Sequence, residues 1–296
     1  MKTVIIGQGA IGSLLAGICQ QQKMDYAVLP RGSVCQPVRL IRLDGRLLEF
    51  SPEPVSPAQL QRDELLLLPL KAFQIIPAVK QLRPFLTKQT LVLLNNGMGV
   101  MEQVQKLLPD SPLIAGISKK AAYKKATQVL ETGTGTTELG WVFRPASHSA
   151  QATERQLKAL LTPCLWHQDL QPALWQKLAI NAVINPLTAL NNIKNGELAQ
   201  PEYQQQIRQL CAETAALMQR KNLSGWQNID AVVESVINST ADNYSSMHQD
   251  IAHNRATEID YINGYLVLQG QQAGLEMAAH ENLWQRVKAL ATSQDK

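Results

Sequence analysis

Residues 7–12 read Gly7-Gln8-Gly9-Ala10-Ile11-Gly12, directly after the apolar run Thr3–Ile6 and at the start of a helical pattern over Ala10–Gln22. A G-x-G-x-x-G between a strand and a helix is the dinucleotide fingerprint. Its first glycine makes the tight turn, its second lets backbone approach a pyrophosphate, and its third lets the helix pack on the strand. The helix N-terminus then offers N–H groups and a positive dipole to the phosphates. The alternative, a glycine turn without a ligand, is disfavoured by this strand-before, helix-after context. A further apolar run, Tyr26–Leu29, ends at Pro30-Arg31. NAD-binding chains carry an Asp or Glu about 20 residues past the fingerprint. Arg31 stands there instead, and a guanidinium suits a 2′-phosphate where a carboxylate would repel it. The spacing therefore predicts NADP as cofactor.

Outward from this segment, strands and helices alternate. Leu65–Leu68 is a buried strand, followed by Lys71 and a helix from about Phe73. Leu91–Leu94 is another, closed by Asn95-Asn96-Gly97, and Leu113–Ile117 another. Leu40–Leu43 and Arg46–Phe50 flank Asp44-Gly45, a hairpin signal. Thr127–Thr132 and Thr136–Val142 flank Gly133-Thr134-Gly135, read here as a turn. The alternation predicts an α/β fold, a Rossmann-type doubly wound sheet, mostly parallel, with helices on both faces. Past Pro172 strand signals nearly vanish, and helices are expected over Ala173–Ile184, Tyr203–Lys221, Ile229–Ser239, Asn243–Gln269 and Glu281–Thr292. The expected division is an NADP-binding domain over residues 1–168 and an all-α substrate and catalytic domain over residues 169–296.

The helix after Pro172 carries Lys177, Asn181 and Asn185 at i, i+4 and i+8, on one face of an otherwise apolar segment. A polar stripe on a buried helix needs partners, and a ligand supplies them. Simple exposure to water would not select amides over Glu or Lys. A second polar cluster, Asn243-Tyr244-Ser245-Ser246, suits a carboxylate or hydroxyl. Periodicity leaves open whether Glu258 or Asp260 belongs to a site.

Composition bounds the rest. The chain has 296 residues, enough for about two domains. Apolar residues make up 45% and charged residues 18%, the balance of a globular chain. Lys and Arg number 28 against 24 Asp and Glu, a net +4 that offers no basic stripe for nucleic acid. The run Leu65–Leu68 is far too short to span a bilayer. Cys19, Cys35, Cys164 and Cys211 are scattered, with no CxxC, and read as thiols of a reducing compartment. His280-Glu281 begins like a metalloprotease helix, but the second His is missing, so no metal is expected. Glycines interrupt the N-terminal apolar stretch and no A-x-A follows, so no signal peptide is expected and the chain is read as cytoplasmic.

Taken together, these residues resemble the ketopantoate reductase family. The carriers are Gly7–Gly12, Leu70-Lys71-Ala72, Asn96-Gly97-Met98-Gly99, Leu174–Ala179, Asn181 to Thr188, Asn195–Leu198, Ser245–Asp250 and Thr257–Gly264. The resemblance implies hydride transfer from NADPH to the 2-keto group of 2-dehydropantoate, giving pantoate for pantothenate and coenzyme A synthesis. It implies Lys177 as general acid. Asn181, Asn185, Asn195 and the segment Asn243, Tyr244, Ser245, Ser246 would hold substrate. Arg31, Lys71 and the backbone of Ala122 would serve the cofactor. Asn96 would stand where cofactor and substrate meet, with Glu258 near both. One departure is Ser118-Lys119-Lys120-Ala121-Ala122, where the family pattern is Thr-His-Ala-Ala; another is Pro69, just before Leu70. Rival readings are an NADP-linked reductase of another 2-keto or 3-hydroxy acid and a non-catalytic NADP-binding sensor, which has no use for a proton donor. Small-molecule substrate, no membrane, and a monomer or homodimer complete the expectation.

Overall fold

The computed structural model describes residues 1–145 and 150–293. They form two compact units: Met1–Asn95 with Val100–Leu170, and Asn96–Gly99 with the chain from Gln171 onward.

The first unit is built on a mixed sheet. Strands β1 (Thr3–Ile6), β2 (Tyr26–Leu29), β5 (Leu65–Leu68), β6 (Thr90–Leu93) and β7 (Leu113–Lys125) run in the order β2-β1-β5-β6-β7, all parallel. Strand β8 (Gln128–Phe143) returns antiparallel to β7. It then pairs in parallel with β9 (Cys164–His167) and with β3 (Val38–Ile41), which forms a hairpin with β4 (Leu47–Phe50). Four successive leucines make β5 because both its faces are covered, the usual state of a central parallel strand. Each such leucine contributes about 1.5–3 kcal/mol of transfer free energy. Ile5, Leu65, Leu67, Val92 and Ile114 share one core cluster with α1 (Ala10–Gln21) and α4 (Ala150–Leu160). Their neighbours Val4, Leu66, Leu68 and Leu91, pointing the other way, are equally buried. The remaining helices of this unit, α2 (Ala72–Leu82) and α3 (Val100–Leu107), pack on each other and cover that face. The chain leaves β1 for β2 on one side and later for β6 and β7 on the other. The topological switch point therefore lies between β1 and β5, where open α/β sheets bind ligands.

The expected turn at Gly133-Thr134-Gly135 is wrong. Those residues are inside β8, and the chain reverses at Ala126-Thr127, with Ala126 at φ 52°. Gly135 is there for close approach, since a Cβ would stand 2.5 Å from Lys119 O on β7. The strand expected at Leu113–Ile117 accordingly runs on to Lys125.

The second unit is helical: α5 (Gln171–Asn191), α6 (Pro201–Arg220), α7 (Ile229–Ser239), α8 (Ser246–Ala252), α9 (Asn263–Ala273) and α10 (Ala278–Ser293). Helices α6, α7, α8 and α10 all pack on α5, the central rod. The helix expected over Ala173–Ile184 runs longer, to Asn191, with Pro186 in its interior. Proline has no N–H, so the carbonyl four residues back loses its helical donor. That carbonyl, Ala182 O, accepts from Asn263 Nδ2 at 2.9 Å instead. The single long helix expected over Asn243–Gln269 is broken. Ser245 caps α8 at its start, and Asn254, at φ 52°, ends the helical path. A short 3-10 turn at Ile259–Tyr261 precedes α9.

Candidate active site

In the first unit the Gly7–Gly12 loop sits at the switch point. Gly7 has φ +91°, in the left-handed region, and its N–H donates to Leu29 O at 2.8 Å. A Cβ on Gly12 would lie 2.3 Å from Gly7 O, so the helix reaches the turn only with glycine there. Above Gly9 the space is open, with no atom within 4 Å of a Cβ position. The first turn of α1 has no side-chain cap and no acidic residue, which leaves its N–H groups for an anion. These features fit the pyrophosphate of a dinucleotide. Gln8 is clamped by side chain and backbone: its Oε1 accepts Gln36 N–H at 2.8 Å, and its carbonyl accepts Lys124 Nζ at 2.6 Å.

Of the other residues expected on the cofactor side, Lys71 and Arg31 follow strands β5 and β2, and Ala122 lies within β7. Leu70 packs on Gly7, 3.0 Å from where its Cβ would be. Lys71 follows, half-buried at the start of α2, with its N–H on Gln74 Oε1. Arg31 is exposed just past β2. Ala122 lies at a register shift in β7, between Ala121 and Ala122. The unusual Lys120 turns inward. Its Nζ donates to Thr162 O at 2.7 Å, and burial lowers its pKa. This lysine ties the main chain at Thr162 and Thr134 together.

In the second unit the stripe on α5 deepens along the helix. Lys177 and Asn181 are half-buried and Asn185 is buried. Lys177 is the only charged residue of the 21 in α5. Asn96 Nδ2 donates to Glu258 Oε2 at 3.1 Å, and Glu258 is buried. Asp260, by contrast, is exposed and accepts from Trp284 Nε1. Gly97, at φ +77°, lets this segment lie on Tyr261, whose carbonyl also accepts Met98 N–H at 2.8 Å.

The remaining predicted residues join two loops. Asn195 N–H donates to Asn243 O at 2.9 Å, and its Nδ2 reaches Thr240 Oγ1 at 2.9 Å. Ser245 is buried; its Oγ accepts His248 N–H and lies 2.7 Å from Thr188 Oγ1 on α5. Its hydroxyl thereby holds α8 against α5. Ser246, Asn243 and Tyr244 are exposed, and Tyr244 stacks on His248 at 4.3 Å.

Two residues were missed by the reading of the sequence. Asn263, which answers the carbonyl freed by Pro186, is held in turn by His280 Nδ1 at 3.0 Å. His280 also meets Thr214 Oγ1 at 2.9 Å and Leu210 O at 3.1 Å. Pro186 was the signal: a proline inside a helix predicts a donor elsewhere. Lys124 is the other, in a polar run with no periodicity to mark it.

Fold and site define a class: a dinucleotide-binding α/β unit joined to a helical unit that carries one lysine on a stripe of amides. Family comparison narrows it. The description "Ketopantoate reductase PanE/ApbA" matches residues 3–142, and "Ketopantoate reductase PanE/ApbA C terminal" matches residues 169–291. A 2-dehydropantoate 2-reductase from Vibrio cholerae is 35% identical over 300 aligned residues, covering 100% of both chains. The solved structure of a probable 2-dehydropantoate 2-reductase from Bacillus subtilis is 28% identical with a TM-score of 0.81, covering 98% of this chain and 100% of its own. A D-mandelate dehydrogenase solved with NADH and anilino(oxo)acetate shares the fold at TM-score 0.89, with 22% identity over 100% of this chain and 99% of its own. The chain belongs to the ketopantoate reductase family.

Proposed function

We infer that this chain is an NADP-dependent oxidoreductase that reduces 2-dehydropantoate to pantoate, with Lys177 as the general acid. The single observation that carries the acid role is α5, where Lys177 is the only charged side chain and stands one and two turns before Asn181 and Asn185. The first unit, about residues 1–168, holds the cofactor; the second, about 169–296, holds substrate and carries out proton transfer. Arg31 and Lys71 meet the phosphate charge of NADPH, beside the Gly7–Gly12 loop and the backbone of Ala122. When bound, NADPH supplies the hydride that reduces the keto carbon.

The residues of this chain handle the oxygen. As the carbonyl is reduced its π electrons move onto oxygen, and a cation there stabilises the growing charge. The Lys177 ammonium then gives that oxygen a proton and recovers its own from water. Asn181 and Asn185 cannot give up a proton and remain stable, so they orient the substrate by hydrogen bonds. Asn96 and Glu258 form a fixed donor–acceptor pair, suited to the nicotinamide end and the substrate hydroxyl. Asn195 and the segment Asn243–Ser246 complete the substrate's surroundings.

The enzyme works in the cytoplasm, as a monomer or homodimer. All four cysteines are free, as suits a reducing compartment, and among the described residues no helix is long and apolar enough to cross a membrane. The test is a panel of 2-keto acids with NADPH, followed at the nicotinamide absorbance. The expected result is turnover with 2-dehydropantoate far above that with phenylglyoxylate, pyruvate or other 2-keto acids. Preference for another acid would move the assignment to a sister reductase. Binding of NADPH with no turnover on any acid would make the chain a sensor.

A further inference from the structure

Strands β1, β5 and β6 end together at the carboxyl edge of the sheet, but β7 does not. It pairs with β6 only as far as Ala115 and runs on to Lys125 against β8. This overshoot carries Lys124 to the fingerprint loop, 116 positions away in sequence, where its Nζ donates to Gln8 O at 2.6 Å. The Gln8–Gly9 peptide is trans, and in a trans peptide the carbonyl and the following N–H point in opposite directions. Pinning Gln8 O therefore fixes the direction of Gly9 N–H, next to the open space above Gly9. Ser13 Oγ lies 3.5 Å from the same carbonyl, and the Gln8 side chain is held by Gln36, so the loop is fixed from three sides.

An ammonium has three donors, and this one spends a single N–H on Gln8. Burial lowers the Lys124 pKa, and among the described residues no carboxylate competes with Gln8 O for the ammonium.

We propose that Lys124 is a positioning residue for the cofactor, which holds the Gly7–Gly12 loop in the shape that meets the dinucleotide's pyrophosphate. The inference rests on the reading of this loop as an NADPH site. It differs from Arg31 in target. The pyrophosphate is common to NADPH and NADH, whereas the 2′-phosphate is not.

The experiment measures Kd for NADPH and for NADH by nicotinamide fluorescence in wild type, Lys124→Met and Lys124→Arg. Lys124→Met is expected to weaken both cofactors by the same factor, roughly 10-fold or more on the scale of a charge-assisted bond. Lys124→Arg should recover most of that loss, and KM for the keto acid at saturating NADPH should stay near wild type. A purely structural lysine would not produce this split between cofactor and substrate. Kd values within 2-fold of wild type in Lys124→Met, or an arginine variant as weak as the methionine variant, would overturn the proposal. So would a wild type that binds neither cofactor. A wild type that binds NADPH but reduces no 2-dehydropantoate would sink the catalytic reading alone, leaving the Lys124 comparison readable.

Discussion

In the α/β unit the central strands are aliphatic apart from Thr3 and Thr90 at their starts, and Ile5, Leu65, Leu66, Leu67 and Val92 are fully buried. The helical unit is different. Asn263 and His280 lie at 0% exposure at the heart of it, joined to Thr214 and to the main chain of α5 and α6. The contrast follows from how each unit satisfies its backbone. A sheet pairs its N–H and carbonyl groups in the ladder, so side chains are free to be apolar. Helix α5 carries Pro186 in its interior and leaves one carbonyl open, so a polar side chain must be buried to meet it, and that side chain needs partners of its own. The proposed function divides the same way: the cofactor half would work largely through backbone and glycine, and the substrate half through side chains at helical spacing.

The largest effect should come from the helical half. Lys177→Ala should cut kcat by about 10²–10⁴, the range for loss of a general acid, with NADPH binding retained. Near wild-type kcat in the variant would transfer the acid role to water or Glu258.

The cofactor half should answer to charge on the ligand. Arg31→Asp should weaken NADPH roughly 10- to 150-fold more than NADH, the scale of a charge-assisted contact. Titration calorimetry with both cofactors checks this, and equal losses would separate Arg31 from the 2′-phosphate.

The buried polar chain should show in stability. Burial pushes the His280 pKa down from 6.5 to about 4. The unfolded chain therefore takes up a proton that the folded protein refuses. The stabilisation is full above pH 6.5 and is lost as pH falls toward about 4, amounting to on the order of 3 kcal/mol. Denaturant unfolding across that window should show the decline, and His280→Gln should flatten it. A wild-type profile that stays flat would mean His280 is protonated in place. Asn263→Ala, measured at neutral pH, should cost about 1–3 kcal/mol by stranding Ala182 O. A loss no greater than that of a surface substitution would mean water replaces the amide.

The smallest effects should be at single neutral contacts. Asn181→Ala and Ser246→Ala should each raise KM for the keto acid by about 2- to 10-fold while leaving NADPH affinity in place. Loss of NADPH binding in both would erase the division of labour between the two halves. Ser245→Ala should instead lower the melting temperature, since its hydroxyl joins α8 to α5.

What the sequence determined by itself was whatever repeats at short range. The fingerprint is six consecutive residues in one turn, the stripe Lys177-Asn181-Asn185 has the period of a single helix, and Leu65–Leu68 declares a strand covered on both sides. Such features depend on local geometry, which the order of residues fixes. The tertiary structure decided the rest. Asn96 and Glu258 meet across 162 positions, and Lys124 meets Gln8 across 116. The pairing of β7 with β8 turned an apparent glycine turn into strand, and α5, expected only as far as Ile184, runs on through Pro186 because a distant asparagine supplies the missing donor. Partners at such distances are chosen by packing and by the need to satisfy every buried polar group, and neither leaves a period in the chain.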